Sequence, residues 1–228
     1  MRSIPSIVPE SPIPANDPRL GNSLATDAEP DFPLFAPFWR ETFARAKTWL
    51  PDPELSFWSP QIEGFETAKI AFTSWEGRRI FGWFSRPLHH PIRAGIIVSH
   101  GYGGREGPDP VPLRGDAAIL YPCARGLSLS ADPTDPKEIP HVLRGIDSRD
   151  TYILRGCVGD IWAAASALLL LAPEAARDLS YVGSSFDGGI GALAIPWDRR
   201  FHRAFLGVPS FGNHPLRLRT PCAGSGEA

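Results

Sequence analysis

Three short runs constrain the fold more than any other feature of the chain: AGIIV (Ala94–Val98), AAILY (Ala117–Tyr121) and LSYVG (Leu179–Gly183). Each is apolar with almost no polar alternation, and each ends in a loop of small or turn-forming residues. A strand with one face in water alternates polar and apolar residues, whereas a strand covered on both faces does not. Helical stretches lie between the runs. Buried strands interleaved with helices predict an α/β fold, a mostly parallel sheet covered by helices on both faces.

The flanking segments fit this plan. Phe35, Phe38, Trp39, Phe43, Ala46 and Trp49 fall at helical spacing ahead of Pro51, so they predict a helix with an aromatic stripe packed on the core. TAKIAFTSWEGRRIFGWFSRPL reads as two strands around a turn at Glu76–Gly77, an antiparallel edge. IDSRDTYILRGCVGDIWAAASALLLLAPEAARD reads as a long helical stretch stopped by Pro173. GGIGALAI predicts another helix and HRAFLGVPSFG a further strand. Residues 1–30, rich in Pro, Ser, Asn and Asp, predict an irregular arm, and residues 31–228 a single domain.

Charge excludes some partners. The 23 basic and 25 acidic residues nearly balance and no basic block occurs, so neither nucleic acid nor an anionic membrane is an expected partner. Cys123, Cys157 and Cys222 are far apart and form no C-x-x-C pair, which suggests neither a zinc site nor a disulfide framework. Incidental thiols fit a reducing cytoplasm. The proline-broken N-terminus has no apolar core of a secretory leader, and the greasy run Ile161–Ala172 is too short to span a bilayer.

The chemistry concentrates at YVGSSFDGGIGALAI. A buried strand end, a turn of small residues and an apolar helix give the layout of a nucleophile elbow around Ser185. Gly183 permits the sharp turn, and Gly188 and Gly189 let the helix approach the sheet. The amide of Phe186 then faces the space where an oxyanion would form on an attacked ester. A second amide must come from a neighbouring strand end. HGYGG supplies that loop, with Tyr102 as the donor and His100 and Gly101 shaping the turn. The same Gly101-x-Gly103 could open a dinucleotide-binding loop, but Glu106 stands where the third glycine belongs.

In order and spacing, HGYGGR, ARGLS, HVLRGIDSRDTYILRGCVGDIWAAASAL and VGSSFDGGIGAL resemble the acetyl xylan esterase / cephalosporin C deacetylase family of α/β-hydrolases. The resemblance runs from about Asp31 to the C-terminus. Its most specific part is the helix entry from Arg144 to Asp160. It implies an α/β-hydrolase fold and hydrolysis of acetyl esters of sugars or small molecules, with no metal or organic cofactor. It implies Ser185 as nucleophile and the Tyr102 and Phe186 amides as the oxyanion hole. Arg125 and Gly126 match the start of the family's RGQ signature. His100, Gly101, Asp187 and Gly188 would shape the site. The expected partner is a small-molecule or oligosaccharide acetyl ester, with room for a homo-oligomer.

Three positions depart from the family. Leu127 replaces the signature glutamine, Phe186 the glutamine after the nucleophile, and Asp187 the glycine two after it. A carboxylate about 6 Å from the oxyanion, at an effective dielectric near 20, would oppose it by roughly 3 kcal/mol, about a hundredfold in rate. The cost vanishes if Asp187 turns away to cap the helix.

A serine also needs a base, and the hydrolase order is Ser, then Asp or Glu, then His. After Ser185 the chain offers Asp187, Asp198, His202, His214 and Glu227, none beyond a further predicted strand. The expectation is therefore a chain lacking the last strands, the acid and the histidine, with impaired turnover. His214 reads as a solvated loop residue, and His89, His90 and His202 as surface. The alternative function is a hydrolase-like module that binds without turnover.

Overall fold

The computed structural model describes residues 32–108 and 114–211; of residues 32 and 59–61 only the backbone is described. The expected arm at residues 1–30, with Cys222, His214 and Glu227, lies outside the described residues. Those described belong to one unit. Its elements in chain order are α1 (Phe32–Ala46), β1 (Glu54–Ile62), β2 (Phe65–Thr73), β3 (Arg79–Pro87), β4 (Ala94–Val98), β5 (Ala117–Pro122), α2 (Ile153–Leu171), β6 (Leu179–Ser184), α3 (Ser185–Ala194) and β7 (Phe201–Gly207).

The strands form one sheet in the order β1-β2-β3-β5-β4-β6-β7. β5, β4, β6 and β7 run parallel, and β1, β2 and β3 continue the sheet antiparallel from β5. The three apolar runs are therefore the inner strands β5, β4 and β6, as continuous burial demands. Alternate residues serve opposite faces. Ile97, Ala118 and Leu120 join the larger cluster, to which α1, α2 and α3 contribute Trp39, Trp162 and Ile190. Ala94, Val98, Ala117, Ile119 and Tyr121 join the smaller cluster.

The turn at Glu76–Gly77 is present, with both residues at positive φ (57° and 74°). The aromatic stripe of α1 is only partly core. Trp39 is buried and Phe43 stacks edge-on against Trp162 at 4.9 Å, whereas Phe35 and Trp49 are exposed. Two boundaries differ from expectation. β1 adds an edge strand to the expected pair; its register slips twice, and Pro60 interrupts its pattern, so no clean alternation marks it. α2 begins only at Ile153, because Gly145 at φ 66° turns the preceding segment and the Ile153 N–H donates to the Arg144 carbonyl. α2 is apolar and long enough for a membrane span, yet 72% of its most apolar 18-residue window is buried here against the core.

Candidate active site

β6 runs into α3 without an intervening residue, and Ser185 sits at the junction with φ 52°. This left-handed backbone is costly for a residue with a Cβ and persists only where its surroundings enforce it. The enforcement is visible at the glycines. A Cβ on Gly183 would lie 2.6 Å from the Asp187 carbonyl oxygen. One on Gly188 would lie 2.8 Å from the Gly207 carbonyl oxygen of β7, and one on Gly189 2.2 Å from that of Ser210. The buried Tyr181 hydroxyl donates to the Asp187 carbonyl at 2.6 Å, bracing the first turn of α3 from β6.

The loop after β4 lies against this elbow. A Cβ on Gly101 would be 3.9 Å from that of Ser185. The half-buried Tyr102 ring packs on Phe186, centroids 5.6 Å apart, and both touch His141. The two residues expected to offer oxyanion amides are thus neighbours, beside the serine.

His100 is buried and its ring is fixed. The Ala124 N–H donates to Nε2 at 2.9 Å, so the ring proton sits on Nδ1, 2.7 Å from the Gly101 carbonyl oxygen that accepts it. The His100 backbone N–H donates to Asp187 Oδ2 at 3.0 Å. Asp187, only 2% exposed, therefore makes a tie to the loop and no cap on its own helix. Burial pushes its carboxyl up to about 7, against the His100 N–H and the Arg105 charge, which pull the other way. The loop is held again at Arg105, whose N–H donates to Ser128 Oγ at 2.8 Å.

Arg125 and Gly126 follow β5. Arg125 is buried and forks onto Asp160 of α2, Nε to Oδ2 at 2.9 Å and a terminal nitrogen to Oδ1 at 2.7 Å. Ser74 Oγ donates to the same carboxylate at 2.5 Å. Gly126 has φ 78° and faces His141, 2.8 Å from where its Cβ would be. The Arg125 carbonyl accepts from His141 Nε2 at 2.7 Å. His141 Nδ1 then carries no proton and has no partner among the described residues. Burial lowers the pKa of this histidine. Leu127, in the glutamine position, is half-buried against the core.

Sequence reasoning missed His141, Arg105 and Ser128 as parts of the site. All three lie inside runs that carry the family resemblance, His141 in HVLRGID, Arg105 in HGYGGR and Ser128 in ARGLS, but nothing in those runs shows what each would touch. The remaining residues are placed elsewhere. His89 and His90 are exposed. His202 is exposed too, but its Nδ1 accepts the Leu179 N–H at the far end of β6 from Ser185. Asp198 is buried in an ion pair with Arg200. Cys123 and Cys157 are buried free thiols whose pKa values burial raises. No group of three potential metal ligands occurs among the described residues. The described segment after β4 leads into no helix, unlike a dinucleotide-binding loop.

Several solved structures share this fold. Acetyl xylan esterase 1 from Thermoanaerobacterium sp. JW/SL YS485 superposes with a TM-score of 0.72 at 20% identity, covering 86% of this chain and 63% of that one. Acetyl xylan esterase from Paenibacillus sp. R4 gives 0.73 at 20% identity, covering 89% and 66%. The chain thus spans under two thirds of either structure. A search of curated proteins finds no match. The sequence model described as acetyl xylan esterase (AXE1) matches residues 24–214. With that match over most of its length, and an elbow and facing loop built as described, the chain belongs to the acetyl xylan esterase family.

Proposed function

We propose that Ser185 is the nucleophile of a carboxylic ester hydrolase acting on acetyl esters of sugars or small molecules, its oxyanion held by the Tyr102 and Phe186 amides. The observation that carries this reading is the strained backbone of Ser185 at a strand-to-helix junction, with Gly101 beside its Cβ. Strain of this kind marks sites where a side chain must be held clear of its own backbone. Attack would form the Ser185 Oγ–acyl bond and place the negative charge on the former carbonyl oxygen, in front of the amides. The relatives' names make acetylated sugars the first substrates to try.

Turnover is proposed to be slow. Among the described residues, both ring nitrogens of His100 are occupied and His202 serves the other end of β6, while His141 keeps Nδ1 unpaired but buried, its ring packed against Phe186. In serine proteases the oxyanion hole and substrate binding retain about 10³–10⁴-fold over water when a triad member is removed. The expected result with p-nitrophenyl acetate is weak hydrolysis that Ser185→Ala removes. A rate untouched by Ser185→Ala, with ester binding retained, would favour a module that binds without turnover.

A further inference from the structure

The glycine expected two residues after the nucleophile has no side chain with which to accept a hydrogen bond. This chain places a carboxylate there, buries it, and aims it at a backbone N–H of the facing loop. His100 is itself buried, and its N–H needs an acceptor. The rest of the residue is already committed, Nε2 to the Ala124 N–H and Nδ1–H to the Gly101 carbonyl. Five residues on, the Arg105 N–H is held by Ser128 Oγ. Tyr102 lies between these two anchors.

We propose that Asp187 is a positioning residue for ester cleavage: its carboxylate holds the His100 N–H and so fixes the Tyr102 amide beside Ser185. The proposal rests on the esterase reading of Ser185. Asp187 belongs to α3 and the loop to β4, so the tie joins the two halves of the oxyanion site. Without it the first anchor of the loop is lost and the Tyr102 amide is free to swing. Around Asp187 stand His100 and Arg105 from the loop, Cys123 after β5, Cys157 and Asp160 from α2, and Tyr181 from β6.

The test uses the 228-residue protein labelled with ¹⁵N. The His100 amide resonance should titrate with a midpoint near Asp187's about 7. Asp187→Asn should abolish that titration while keeping the amide protected, because the Asn oxygen still accepts. Asp187→Ala should speed exchange at His100 about tenfold while amides of β2 and β3 hold, the loss of one hydrogen bond. With p-nitrophenyl acetate, Asp187→Ala should lower kcat about tenfold at unchanged KM, and Asn should restore it. A wild-type His100 amide indifferent to pH, or Ala and Asn variants that behave alike, overturns the proposal. If Asp187→Ala fails to fold, the wild-type titration and the Asn variant decide it. Ser185-dependent turnover with a silent His100 amide removes the positioning role alone. A responsive amide, with Ser185 neither hydrolysing the ester nor taking up a fluorophosphonate, removes the esterase reading and the positioning role together.

Discussion

Asp187 carries opposing demands in one side chain. Its hydrogen bond to His100 favours the charged form, and its burial disfavours that form more strongly. The folded pKa of about 7 lies above the ordinary 3.8. The folded state therefore binds the proton more tightly than the unfolded chain. The stabilisation is complete below about pH 4 and is lost as pH rises through 7, about 4 kcal/mol in all by linkage. Asp187→Asn removes this dependence. Urea midpoints should show the variant gaining on wild type between pH 4 and pH 8; parallel profiles would contradict the assignment. The place of Ser185 at a strand-to-helix junction, and of Tyr102 in a loop beside it, was legible in the sequence because an elbow and a glycine loop have local signatures. The direction of the Asp187 carboxylate was not. Both orientations considered for it were local, facing the oxyanion or capping the helix, whereas its partner is 87 residues away.

The junction of β6 and α3 is built by close approach. Gly188 meets the backbone of β7 and Pro209, atoms that cannot rotate aside. Gly188→Val should overpack this contact and cost about 1–3 kcal/mol, seen as a lower thermal midpoint. Unchanged stability would show that α3 can lift from β7 freely. Elements with one dominant pattern were legible in the same way. β4, β5 and β6 were read from continuous apolarity, and the β2–β3 turn from Glu76–Gly77. β1 was not, because its slips and Pro60 erase the period of two. The start of α2 was read too early, since Gly145 and the Arg144 carbonyl redirect the chain through tertiary contacts that composition does not encode.

At the scale of the molecule, the Arg125–Asp160 pair fastens the end of β5 to α2 and, through Ser74, to the β2–β3 turn. Its sequence signal was the family resemblance of Arg125 and Asp160; their pairing became visible only in the fold. Arg125→Ala leaves a buried carboxylate without its counter-charge and should cost about 3–5 kcal/mol. Arg125→Met with Asp160→Leu removes both charges and should recover most of that loss, as a chemical denaturation series would measure. A double variant no better than the single one would show that the pair contributes through its hydrogen bonds to the backbone and Ser74.

The strand order also sets a timetable for the protein's birth. β4 lies between β5 and β6, so it cannot be enclosed until β6 has been made. The His100–Asp187 tie spans 87 residues, and at translation speeds of about 5–20 residues per second it closes roughly 4–17 s after His100 is added. Through that interval the apolar β4 has at most one of its two neighbours, and its unpaired edge is the kind of surface that aggregates when exposed.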